Sequence, residues 1–374
     1  MNKRIFGKTL FGILPLTCLL LLAACAPSRQ APAESKAPLL VYPEPPDEPR
    51  FFYERTLHGS ADVVPEDEDA GLRQLLTGVK PASGDFLNKP HGVSIFRGRV
   101  FVSDSAQRHV AVFDIPGRRF YRIGEDGPGR LVMPMGLDVD RAGNLYVADI
   151  TARQVVVFDK DGKFLRRIGG EQWLVRPASV TVDPQGDRMY VVDVGGVKSE
   201  IHRIRVFNPI NGTHLFDFGS RGTGPGEFNF PYDLAVGKAG NLFVVDSANF
   251  RIQIFDRDGK YLRSFGELGR RMDNFARPRG ICTDADGNVY VVDAAHGNFK
   301  IFDAEGRLLM FIGDPSEQDK PASFPLPSDV NVDEDGRVYV VDQWHRKVDV
   351  FRPARLKADQ GWFASKKPPA PPAK

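Results

Sequence analysis

The sequence predicts an all-β fold: a six-bladed β-propeller built from four-stranded antiparallel blades. Three observations lead there. First, six aromatic-rich segments end on the same aspartate: FVSD at Asp104, YVAD at Asp149, YVVD at Asp193, FVVD at Asp246, YVVD at Asp293 and YVVD at Asp342. Second, those aspartates are spaced by 45, 44, 53, 47 and 49 residues, the mark of a unit copied along the chain. Third, each copy alternates apolar and polar residues in short runs divided by Gly and Asp turns. A meander of this length buries little alone, so the copies must stack, and radial stacking limits exposed sheet edges.

The unit is clearest in the fifth copy, RPRGICTDADGNVYVVDAAHGNFKIFDAEGRLLMFIG. GICTD reads as the first strand and NVYVVD as the second, ending on Asp293. NFKIFD is the third, and RLLMFIG follows the DAEGR turn as the fourth. In five copies a phenylalanine lies nine residues after the aspartate: Phe113, Phe158, Phe255, Phe302 and Phe351. The third copy stretches this to fourteen, Asp193 to Phe207, through an insert around GGVKSEIHR that belongs in a loop. Every copy opens on a proline: Pro90, Pro134, Pro177, Pro231, Pro278 and Pro327.

The sixth copy runs out near Pro353 before a fourth strand. RFFYERTLHG (Arg50 to Gly59) has the alternation of one, so it is predicted to complete the sixth blade from the other end of the chain. The acidic stretch PEDEDAGLRQLLTG after it reads as a short helix crossing one face. The organisation expected is therefore 1–24 an export signal, 25–49 a Pro/Ala-rich tether, 50–353 the propeller, and 354–374 a largely disordered tail.

At the start of the chain, Lys3, Arg4 and Lys8 precede an apolar run from Leu10 to Leu22, too short for a comfortable membrane span. An ordinary cleaved signal peptide or signal anchor would read the same way up to that point. The junction Leu22-Ala23-Ala24-Cys25 resembles the bacterial lipobox, which implies lipidation of Cys25 and anchoring by acyl chains. In Gram-negative lipoproteins, Ala26 in place of Asp implies the outer membrane. Cleavage before Cys25 leaves 350 residues with 47 Lys and Arg against 48 Asp and Glu, a balance that offers nothing to nucleic acid. Cys282, in GICTDA, is then the one remaining thiol and reads as a small core residue.

From about residue 50 to 352 the chain resembles the NHL-repeat family. The resemblance rests on the motif before strand one, on G-N-x-Y-V-x-D, on Asn249-Phe250-Arg251-Ile252, and on the connector FGSRGTGPGEFNFP from Phe218 to Pro231. It implies a propeller that binds other molecules on a face.

Candidate chemistry is sparse. The repeated aspartates read as structural, since each ends a strand beside a loop whose amides need acceptors. The turns DKDG, DRDG, DADG and DEDG resemble calcium loops only superficially. The twelfth position counted from Asp284 is Ala295, and from Asp333 it is Trp344, where a carboxylate is required. Gly222 to Gly226 lacks the Lys-Ser/Thr of a phosphate loop. Amidating lyases share the six-bladed fold and resemble this chain through Pro-His motifs that hold zinc. Here only Pro90-His91 matches, with Ala178 and Arg279 at the corresponding places in the third and fifth copies.

The connectors before strand one and the loops between strands two and three fall on one face of such a ring. That face is expected to carry the candidate binding residues His91, Trp173, Phe228, Tyr232, Asp233, Arg279, His296, Asp329, Trp344 and His345. No catalytic residue, resident metal or cofactor is assigned. The leading expectation is a non-enzymatic lipoprotein scaffold that binds an envelope protein, with an electron-transfer or cell-surface assembly as the suggested setting. The alternatives are a metal-dependent propeller lyase or hydrolase at the channel mouth, and a small ligand in the central channel.

Overall fold

A computed structural model describes residues 39–64 and 84–364. The signal at 1–24, Cys25 and the acidic stretch 65–78 lie outside the described residues.

The elements form six antiparallel sheets: blade 1 at 90–123, blade 2 at 134–169, blade 3 at 177–218, blade 4 at 231–265, blade 5 at 278–312, and blade 6 at 327–353 with the N-terminal strands. In every blade the opening proline pairs with the repeated aspartate: Pro90 with Asp104, Pro134 with Asp149, Pro177 with Asp193, Pro231 with Asp246, Pro278 with Asp293 and Pro327 with Asp342. Strand one is the inner edge of each sheet, where a residue without N–H disturbs no ladder. The strand-three phenylalanines are all at most 2% exposed and pack between neighbouring blades.

The ring closes as expected. Phe51–Leu57 pairs with Lys347–Pro353 along its length, from Phe51 opposite Pro353 to Leu57 opposite Val348. Leu57 is fully buried against Val348, Val350 and residues of blade 1. The loop insert of blade 3 falls between strands Met189–Val194 and His202–Phe207.

Both ends hold more structure than expected. Val41–Tyr42, within the segment read as a tether, adds a fifth strand to blade 6 by pairing with Phe51 and Phe52. Residues 354–364, read as the start of a loose tail, fold back onto blade 6. The Ala354 amide donates to the Arg50 carbonyl at 2.8 Å, and the Trp362 amide to Asp335 at 2.6 Å. The organiser is Arg337, a fully buried cation. Its Nε donates to Glu54 on the N-terminal strand at 2.7 Å, its Nη2 donates to the Gln360 carbonyl at 3.1 Å, and the Phe363 ring lies 4.4 Å from it. A buried guanidinium needs such partners, and it takes them from both chain ends.

Candidate functional site

The repeated aspartates are fully buried, and all six accept a hydrogen bond from the connector that leads into strand one. The donors are the amides of Asn88 and Val132 at 2.6 Å, Val175 at 2.8 Å, Asn229 at 2.6 Å, and Ala276 and Leu326 at 2.8 Å. Several also hold a cation: Arg203 on Asp193, Arg251 on Asp246, and the fully buried Lys300 on Asp293. Their carboxylates tie strand to connector. The turn aspartates behave likewise: Asp284 caps the amides of Asp286 and Asn288, and Asp159 those of Asp161 and Lys163.

The channel is more informative. His91 of blade 1 and Tyr232 of blade 4 stand opposite each other in the ring, and they meet across it. The Tyr232 hydroxyl and His91 Nε2 are 3.0 Å apart, with the rings stacked at 19°. Arg279 lies over the Tyr232 ring at 5.6 Å. Ser328 Oγ donates to the His91 carbonyl at 2.7 Å. Burial, then the charges of Arg279 and Lys89, push the His91 pKa down to about 3, while burial lifts Tyr232 to about 12. The imidazole is therefore neutral at ordinary pH. This pair spans the channel at the connector face, beside a void of about 10 Å³, roughly one water. Beyond it the channel widens to about 270 Å³, is lined by first strands of all six blades, and opens among the turns at Asp140 and Asp183.

Three carboxylates line that channel from the first strands of alternate blades, and Asp140, Asp183 and Arg141 stand at its open end. Asp138 of blade 2 accepts from Thr181 Oγ1 and the Val182 amide of blade 3. Asp233 of blade 4 accepts from Ser179 Oγ at 2.6 Å and the Ile281 amide at 2.9 Å. Asp329 of blade 6 accepts from the Val93 amide at 2.8 Å. Inner strands are edge strands with unpaired amides, and these side chains satisfy them across blade boundaries. Desolvation raises Asp138 and Asp233 to about 6. For Asp329, desolvation and then the Asp233 charge push it well up.

That shift has a sign. A carboxyl whose folded pKa lies above its unfolded value binds its proton more tightly in the folded state. It therefore favours folding at low pH and costs stability as pH rises from about 4 to about 6. Asp233→Asn removes that cost. Its stability relative to the parent is expected to improve by about 1–3 kcal/mol between pH 4 and pH 7, read from urea midpoints. A difference that stays flat with pH contradicts the shift.

The other residues expected on the connector face divide. Trp344 is 56% exposed and Trp173 38%, the latter stacked on His214 at 4.7 Å. Phe228 is not a surface residue: it is fully buried against Phe255 and Phe218. It belongs to a second repeated series, Leu87, Leu131, Leu174, Phe228, Phe275 and Phe324, each three residues before the opening proline and each buried. That spacing was the signal that could have placed it. His296 lies against Asp293 and Lys300, and His345 against Ser323 and the Ser316 carbonyl, so both brace loops. The insert adds Val197, 73% exposed, which sequence reasoning did not single out. Phe86, Leu268 and Met272 in the connectors are also exposed, Ile210 is exposed in a turn on the opposite face, and Leu165, Leu215, Leu262, Leu309 and Phe311 are exposed along the outer strands.

Among the described residues, no group of three or more His, Cys, Asp and Glu side chains could hold a metal ion. Cys282 lines the channel, but burial pushes its thiol pKa well up, away from thiolate chemistry.

Comparison with known proteins matches the NHL repeat model at residues 228–255 and 275–302, the first three strands of blades 4 and 5 with the residues just before each. Blades 4 and 5 thus carry NHL repeats. Human NHL repeat-containing protein 3 is 38% identical over 83 residues, 22% of each chain, and Caenorhabditis elegans Protein lin-41 is 42% identical over 45 residues, 12% of this chain and 4% of that protein. The chain thus spans under a quarter of the length of these relatives. Solved structures with the same fold include virginiamycin B lyase from Staphylococcus aureus (TM-score 0.53, 12% identity, 80% of this chain and 98% of that one) and the gluconolactonase XC5397 from Xanthomonas campestris (TM-score 0.55, 15% identity, 80% and 98%). At such identity the likeness is one of fold.

Proposed function

We propose that this NHL propeller is a non-enzymatic binding platform, held at the cell envelope by lipid on Cys25, that presents its connector face to another envelope protein. The outer membrane is the expected location, and an electron-transfer or cell-surface assembly the expected setting. The observation that carries the reading is the asymmetry of exposed apolar side chains. Phe86, Trp173, Val197, Leu268, Met272 and Trp344 lie in connectors or loops on one face, against Ile210 in the turns of the opposite face, while Leu165, Leu215, Leu262, Leu309 and Phe311 lie along the outer strands between the two. Exposed aromatic and aliphatic side chains in a polar surround are the usual anchors of protein interfaces. The His91–Tyr232 pair spanning the channel mouth favours contact across this face over entry through it. A metal-dependent lyase or hydrolase gains no support from the donor groups described above.

Crosslinking in intact envelopes followed by mass spectrometry tests the proposal. A specific partner is expected with the parent chain, and its yield should fall about tenfold or more in Val197→Asp/Trp344→Ala, two surface changes that leave the melting temperature in place. Undiminished recovery by that variant would sink the reading.

A further inference from the structure

Five carboxylates line the channel: Asp140 and Asp183 stand with the exposed Arg141 at its open end, and Asp138, Asp233 and Asp329 lie inside it. Asp138, Asp233 and Asp329 form no ion pair among the described residues. Arg279, a buried cation at the channel floor, is taken up by the Tyr232 ring and the Pro327 carbonyl. The interblade hydrogen bonds leave capacity, because each carboxylate oxygen can accept two donors. Behind Asp233 and Asp329 lies the void of about 10 Å³, whose wall includes His91. His91 is buried, its Nε2 is committed to Tyr232, and its Nδ1 has no hydrogen-bond partner. When Nε2 carries the proton, Nδ1 offers a bare lone pair.

Asp233 and Asp329 each lie two residues after the opening proline, and Asp138 lies four after it. Asp138 therefore stands roughly 6–7 Å nearer the open, turn-face end. We propose that the channel binds a slender aliphatic diamine. One ammonium group enters the water-sized void between Asp233 and Asp329, beside His91, and donates to the two carboxylates. The second meets Asp138 nearer the mouth. A linear diamine with a four-carbon spacer has the length for both, and the channel of about 270 Å³ has the room. A neutral diol of the same shape would leave the carboxylates unpaired and bind poorly. Because the carboxyls are held partly protonated near pH 6, bound diamine should displace protons there, and the heat of binding should vary with the buffer.

This site opens on the face opposite the proposed protein-binding surface and stands independently of it. The test is calorimetry and thermal melting of the full chain with 1,4-diaminobutane, against 1,4-butanediol and calcium chloride. The diamine is expected to bind and raise the melting temperature, and the diol to do neither. Affinity should fall about tenfold or more in Asp233→Asn/Asp329→Asn, and also in Asp138→Asn, which serves if the double variant folds poorly. Val197→Asp should bind the diamine normally. No binding of diamine, equal binding by the diol, unchanged affinity in the folded Asp variants, or an effect of calcium in place of the diamine would each overturn the proposal.

Discussion

A chain that begins at Ser60 will not fold to a closed ring. It will lack a cooperative unfolding transition, and its third strand in blade 6 will become a long open edge. That strand, Lys347–Pro353, is buried at every position, including the charged residues Lys347 and Asp349. Phe51–Leu57 covers it, Thr56 Oγ1 donates to Asp349 at 2.6 Å, and Glu54 neutralises Arg337. Deletion removes the ladder, the apolar cover and the countercharge together. An uncovered apolar edge is also a template for aggregation. Leu57→Ala, which removes only side-chain packing, should cost about 2–5 kcal/mol and keep the transition cooperative. A separate peptide of residues 40–59 should restore the truncated chain by adding as a strand. Circular dichroism melts read all three. A truncated chain that melts like the parent would show that the N-terminal strand is dispensable.

The second large effect falls on the repeated aspartates, and it should differ between copies. Asp293 accepts amides from Ala276, Arg277, Ala295 and His296 and lies 3.4 Å from Lys300, whose ammonium is also fully buried and donates to the Asn274 carbonyl and to His296. Burial alone would raise the Asp293 pKa, but the Ala276 amide and the Lys300 charge outweigh it and hold it below the usual carboxylate range. Asp293→Ala leaves Lys300 as an uncompensated buried charge and should cost about 3–5 kcal/mol. Asp149 has amide partners at Val132, Met133 and Ala152 and no cation among the described residues. Asp149→Ala should cost about 1–3 kcal/mol. Urea unfolding ranks them. Equal losses would mean that Lys300 is not held by Asp293.

The repeat made most of the architecture legible. Strand number, blade number and the split sixth blade follow from the period, because each unit must bury its faces against a neighbour. The role of the six aspartates was legible for the same reason, since a residue required in every copy answers a need of every copy. The site was harder to read. Pairing of His91 with Tyr232 depends on which blades stand opposite in the ring, and no local pattern in the sequence carries that. Asp138 was overlooked because it sits two residues further along its strand than Asp233 and Asp329, so alignment by position did not group them. Phe228 misled because it was weighed as an aromatic side chain and not as a member of a spaced series. Val41–Tyr42 was too short to stand out in a Pro-rich segment. Residues 354–364 hold to the ring through Arg337, a contact between sequence-distant groups.

The connector face of the ring is the proposed functional surface. Two residues of blade 3 test it with matched exposure: Val197 on the connector face, 73% exposed, and Ile210 on the turn face, 70% exposed. A photo-crosslinking amino acid placed at each, in separate full-length chains in intact envelopes, reads which face meets a partner. The account predicts a discrete crosslinked protein from position 197 and none from position 210. Crosslinks from position 210 alone, or equal crosslinks from both, would contradict it.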